Sequence, residues 1–269
     1  MRGKGLSATS ADARSCFVAR AKELVDRSGI TAPPVDPLRL AALQGIRRVL
    51  LSSSLDVSGQ LVRDRGELAI VLNAREPVER RNFSCCHEIA HTFALDVSTP
   101  KFRDITSGPV CSPGSVEEEL CDLAAAEMLM PEKFFAPIAN GLEPSISSVI
   151  KLSQWFASSI RAALLRIGQL SVWPVVFIGW RFYPRLGSIP KLRVAWSVRP
   201  EGTRCFVPRH ATADSRSGMY ATFMSANPTL EHENLDLGSL RGEFLVENAR
   251  FGDHVVSVVH NPGSRKGVR

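Results

Sequence analysis

The run Cys86-His87-Glu88-Ile89-Ala90-His91 constrains this chain more than any other, because its spacing makes chemical sense only on a helix. Four residues apart, His87 and His91 lie one turn apart on one face, and Glu88 lies about 100° around the axis. On such a face two imidazoles hold a zinc ion while the carboxylate reaches a water beside it as general base. Two core histidines and a surface glutamate would produce the same short pattern, so its surroundings decide between the readings. Pro77 suits a first helical turn, and Phe83, Ile89, Ala90, Phe93 and Ala94 recur at spacings of three and four. The pattern predicts an amphipathic helix of about five turns.

A metal on two imidazoles needs at least one further protein ligand. Val116-Glu117-Glu118-Glu119-Leu120-Cys121-Asp122, after a loop rich in Ser, Pro and Gly, offers three adjacent glutamates. Glu118 is favoured because Asp122 follows four residues on, on the same helix face. There Asp122 can accept a hydrogen bond from the outer nitrogen of a ligating histidine. At that offset Glu117 has Cys121 and Glu119 has Leu123. The same stretch also reads as a capping box, with Ser115 at the N-cap and a glutamate at the third helical position.

The run Arg80-Arg81-Asn82-Phe83-Ser84-Cys85-Cys86-His87-Glu88-Ile89-Ala90-His91 is followed by Glu118, Asp122 and Ala125-Ala126-Glu127-Met128-Leu129-Met130-Pro131. Together these residues resemble the ImmA/IrrE metallopeptidases. Upstream, a leading helix, Pro33-Pro34-Val35-Asp36-Pro37, a short helix ending at Gly45, strands, and Ile70-Val71-Leu72-Asn73 entering the HExxH helix are similar to that family too. The resemblance covers roughly residues 15 to 170, and both motifs in order are far more specific than either alone. It implies a zincin-like peptidase with His87, His91 and Glu118 as metal ligands and Glu88 as base. Two positions depart from the family: Cys121 stands where alanine is common, and Ala124 where phenylalanine is common. Neither is expected to touch the metal.

Two histidines and a carboxylate leave a fourth position for water, whose pKa zinc can lower to about 7. Glu88 would take its proton and return it to the leaving amine of a peptide. The donor set suits zinc best, with manganese, cobalt or iron as alternatives. No oxyanion-stabilising side chain can be named: Tyr183, Tyr220, His210, His232, His254 and His260 all lie beyond the motifs and read as surface or packing residues.

Cys16, Cys85, Cys86, Cys111, Cys121 and Cys205 form no Cys-x-x-Cys pair and no disulfide framework, as in a reduced, intracellular protein. Cys85 and Cys86 read as buried thiols, since Cys86 points about 100° away from the His87 and His91 stripe. Met1 to Ser15 lacks the apolar core of a secretion signal. The longest apolar run, Val172 to Trp180, contains Pro174 and is under half of the roughly 20 residues needed to cross a bilayer. These features together predict a soluble, cytoplasmic chain.

With 269 residues and 44% hydrophobic content, the chain has room for more than a catalytic unit. The expected fold class is α+β: a zincin-like domain over residues 1–142, a helix-turn-helix-like segment over 143–170, and a β-rich domain over 171–269. In the last, Leu192, Val194, Trp196 and Val198 alternate with Arg193, Ala195 and Ser197 as in a half-buried strand. Glu243 to Phe251 and His254 to His260 flank Gly252-Asp253, a two-residue hairpin turn. Asn261 to Arg269 reads as a mobile tail.

The leading function is a zinc endopeptidase. Its substrate, as the resemblance implies, is a helix-turn-helix transcriptional repressor cleaved to switch on a stress, phage or mobile-element programme. A second class is a non-catalytic regulator, in which zinc braces the fold and the β-rich domain binds a ligand or partner. A third is a DNA-binding protein that presents Arg161 and Arg166 of Ser145 to Leu170 to phosphates. The net charge of +6 permits such contact without marking a patch. A helical pair packed on the peptidase core is the favoured account of that segment, because so few basic residues are present in it.

Overall fold

The computed structural model describes residues 5–64, 66–95, 116–183 and 191–260. Ser115 with the loop before it, Cys111 and the tail from residue 261 lie outside the described residues. Helices and strands follow in the order α1 (Gly5–Arg27), α2 (Pro37–Leu43), β1 (Ile46–Ser52), β2 (Gly59–Asp64), β3 (Glu67–Asn73), α3 (Val78–Leu95), α4 (Val116–Leu129), α5 (Glu132–Asn140), α6 (Ile146–Trp155) and α7 (Ile160–Leu170). Then come β4 (Val175–Tyr183), β5 (Lys191–Val198), α8 (Gly218–Ser225), β6 (Thr229–Leu237), β7 (Leu240–Phe251) and β8 (His254–His260). The described residues are thus a mixed α+β chain with two sheets. They divide into two compact units, Met1–Phe135 with Ser153–Ala162, and Ala136–Leu152 with Ala163–Arg269.

In the first unit the chain begins α2 at Asp36, whose side chain accepts the Leu38 N–H at 2.9 Å. Pro37 sits where the missing N–H costs nothing. The sheet order is β1-β3-β2, with β3 parallel to β1 and antiparallel to β2, which leaves β2 at an edge. β3 buries Ala69, Ile70, Leu72 and Asn73. Asn73 then turns the chain: its Oδ1 accepts the Arg75 N–H at 3.0 Å, and its Nδ2 donates to the carbonyls of Leu55 and Val57 at 3.0 and 3.3 Å. Pro77 follows and α3 starts. Its 18 residues are the five turns that the periodicity predicts. α3 buries Ile89 and Phe93, which contribute roughly 1.5–3 kcal/mol each, and packs along α4. Phe17 of α1 meets Phe93 edge-on with ring centroids 5.9 Å apart.

The second unit is built on an antiparallel sheet of order β5-β4-β8-β7-β6. Leu192, Val194 and Val198 of β5 are buried, in the expected alternation. Trp196 is half-buried and lies over its cross-strand partner Gly179, where a Cβ would come within 2.0 Å of the indole, so the ring occupies the space a side chain would take. Phe251 pairs with His254 across the Gly252-Asp253 turn, with Gly252 at φ +62. The run Val172 to Trp180 leads into β4. No helix among the described residues is long and apolar enough to cross a membrane.

The segment from Ser145 to Leu170 forms α6 and α7 with a break at Ala157-Ser158-Ser159, where Ala157 has φ 46. Arg166 does not fit the phosphate-contact alternative: it is 2% exposed and its guanidinium donates to Gln169 at 2.8 Å. Only Arg161 of the two arginines faces solvent, so Arg166 is not placed to meet a phosphate.

Candidate metal centre

Side-by-side packing of α3 and α4 brings the two motifs together. His87 Nε2 lies 3.1 Å from Glu118 Oε2, and His91 Nε2 lies 3.7 Å from Glu118 Oε1. One ligand atom from each of His87, His91 and Glu118 falls within 4.8 Å of the others. Two donors each about 2.0–2.1 Å from a tetrahedral zinc stand roughly 3.3 Å apart, close to the two His–Glu118 spacings, so the three residues could hold one ion. Two neutral imidazoles and a carboxylate are also the donor chemistry that zinc takes. Glu119, the rival at one end of the triplet, is exposed.

The outer nitrogens are held as well. His87 Nδ1 lies 2.9 Å from Asp122 Oδ1, the pairing that the four-residue offset from Glu118 predicts. His91 Nδ1 lies 3.3 Å from Glu117 Oε1 and 3.5 Å from the sulfur of Cys121. The sequence reading missed these contacts, although Glu117 and Cys121 also stand four residues apart and so share a stripe of α4. Cys121, which departs from the common alanine, thus touches a histidine without facing Glu118's side of the ring.

Glu88 is buried next to this cluster, and its Oε2 accepts the Leu61 N–H from the edge strand β2 at 2.7 Å. Gly59, two residues earlier, lies against the same carboxylate: a Cβ there would be 3.1 Å from both Cγ and Oε1 of Glu88. No side-chain pattern announces either contact, since both are made by backbone. Burial raises the Glu88 pKa, opposed by His91, His87 and the Leu61 N–H, with Glu118 adding to the rise. For His87, burial favours the neutral ring. The hydrogen bond to Asp122 and the charges of Glu88, Asp122 and Glu118 outweigh it, so the net shift is upward. Cys85 and Cys86 are buried thiols, as expected; burial, then Glu88, pushes Cys85 up to about 12. The six Tyr and His residues set aside as oxyanion partners all belong to the second unit.

Residues 45–167 match the family model of the IrrE N-terminal-like domain, a peptidase family. Over 110 residues the chain is 29% identical to the radiation response metalloprotease IrrE of Deinococcus radiodurans. The match covers 40% of this chain and 33% of that relative, so it spans about a third of the relative's length. A transcriptional regulator of Mycobacterium tuberculosis is similar in fold, with a TM-score of 0.56 at 14% identity over 93% of this chain and 81% of that one.

Proposed function

The chain carries over residues 45–167 a domain of the ImmA/IrrE metallopeptidase family, and on that premise we propose that it is a zinc-dependent endopeptidase. His87, His91 and Glu118 hold the metal, Glu88 is the general base, and Asp122 orients His87. The observation that carries this reading is the convergence of those three ligand groups within 4.8 Å, beside a buried carboxylate. Bound by His87, His91 and Glu118, a divalent ion would supply Lewis-acid chemistry, lowering the pKa of a water to about 7 and polarising a peptide carbonyl.

The chain's own groups handle the proton. The Leu61 N–H holds Glu88 Oε2, which leaves Oε1 to accept a proton from the attacking water and to deliver it to the leaving amine. Gly59 keeps the space beside Oε1 free of a side chain. The substrate is a protein, and the family resemblance favours a helix-turn-helix repressor cleaved in the cytoplasm. The catalytic domain over residues 1–142, the helical segment 143–170 and a β-rich domain from 171 belong to the same proposal.

The test is Glu88→Gln in the full chain, with metal content by elemental mass spectrometry and cleavage of a co-encoded repressor. Zinc near one per chain in both proteins, with cleavage lost in the variant, is the expected result. Undiminished cleavage by the variant, or no metal in the wild type, would overturn the reading.

A further inference from the structure

Each histidine turns one nitrogen toward Glu118 and the other toward a further side chain of α4, on Glu118's own stripe for His87 and on the neighbouring stripe for His91. Asp122, one turn after Glu118, meets Nδ1 of His87, and Glu117 and Cys121, one turn apart on the neighbouring stripe, meet Nδ1 of His91. We infer that Glu117 and Cys121 are a positioning pair for His91, doing for the second histidine what Asp122 does for the first. The inference rests on the metal site proposed above.

A neutral imidazole carries its proton on either nitrogen, and only the form protonated at Nδ1 leaves Nε2 bare for a metal. The Glu117 carboxylate selects that form by accepting from Nδ1 and fixes the orientation of the ring. Cys121 supplies a weak sulfur acceptor, fully buried, on the same nitrogen. The competing account of Glu117 is electrostatic: with Glu118 and Glu119 it occupies the first turn of α4, where negative charge favours the helix. Glu119 shares that benefit and is exposed, so it separates the two accounts.

The experiment measures zinc affinity of the full chain by competition with a chromophoric chelator, for wild type, Glu117→Ala, Glu117→Gln, Cys121→Ala, Glu119→Ala and Glu118→Gln. Glu117→Ala should weaken zinc binding roughly 10- to 100-fold, the usual effect of removing an outer partner of a ligand. Glu117→Gln, whose amide oxygen still accepts, should recover part of that loss. Cys121→Ala should show a smaller loss, and Glu119→Ala none. In zinc-loaded wild type with 15N-labelled histidine, His91 should appear protonated at Nδ1, with that signal broadened in Glu117→Ala. If Glu117→Ala binds zinc as tightly as Glu119→Ala does, the pair is refuted while the metal site stands. Loss of all zinc in Glu117→Ala with zinc kept in Glu118→Gln would make Glu117 a ligand and also overturn the inference. Failure of the wild type to take zinc would instead overturn the metal site itself.

Discussion

Gly59→Ala should separate catalysis from folding. The new Cβ would stand 3.1 Å from Cγ and Oε1 of Glu88 and 3.2 Å from Leu72 Cδ2. Carbon contacts are comfortable at about 3.5–4.0 Å, so something must move by roughly 0.4 Å. Leu72 is buried within the sheet, which leaves the Glu88 carboxylate, tied to the Leu61 N–H at 2.7 Å, to give way. If a misplacement of about 1 Å costs about 100-fold, one of roughly 0.4 Å costs about sixfold, near 1 kcal/mol in the barrier. Stability should barely change. Alanine at a backbone position without positive φ gains about 0.4–1 kcal/mol through the unfolded chain, and the strain offsets a similar amount. His87, His91 and Glu118 are untouched by the change. Steady-state cleavage should therefore show kcat down about sixfold at an unchanged KM, with wild-type zinc content and a melting temperature within a few degrees. A kcat equal to wild type would refute the claim that Gly59 makes room for the base. Loss of zinc would show instead that the added methyl acts through the ligands.

Two further expectations concern stability and thiol chemistry. Asn248 is fully buried, donates to Thr229 Oγ1 and Glu233 Oε1 at 3.0 Å each, and accepts from the Ser257 hydroxyl, so Asn248→Ala should cost about 2–4 kcal/mol in urea unfolding of the second unit. Burial raises the Glu233 pKa and Asn248 pulls it down, so stability from this carboxyl is full below its unfolded pKa and is lost as pH rises through the folded one. Without Asn248 the folded pKa climbs further; the variant should therefore lose more stability at pH 7 than at pH 4, and an equal loss at both would contradict the argument. In a Cys111→Ser background, a disulfide reagent should titrate exposed Cys16 promptly, and Cys85, Cys86, Cys121 and Cys205 only after unfolding. A second thiol reacting as fast as Cys16 in the native protein would count against that burial.

The parts of the site legible in the sequence are those whose geometry a single helix dictates. His87, Glu88 and His91 follow from one helical period, and Glu118 with Asp122 from another. Asking α4 for one metal-binding stripe hid the second, because Cys121 at the matching offset from Glu117 is not a carboxylate. The Leu61 N–H and the space above Gly59 were not legible, since neither is a side chain and both depend on where an edge strand lies. The phosphate-contact alternative fails at Arg166 for a related reason: residue type puts an arginine at the surface, whereas buried Ala163 and Ile167 place position 166 on the packed side of α7. An arginine can bury its methylene stem and satisfy its head locally, here on Gln169. For the metal centre the consequence is specific. Because His87 and His91 are four apart on α3, and Glu117/Cys121 and Glu118/Asp122 are each four apart on α4, the two helices offer matching periods across their contact. One residue inserted between Glu118 and Cys121 would turn Cys121 and Asp122 by about 100° relative to Glu117 and Glu118. Both histidines would lose an outer partner at once, although every ligand remained in the chain.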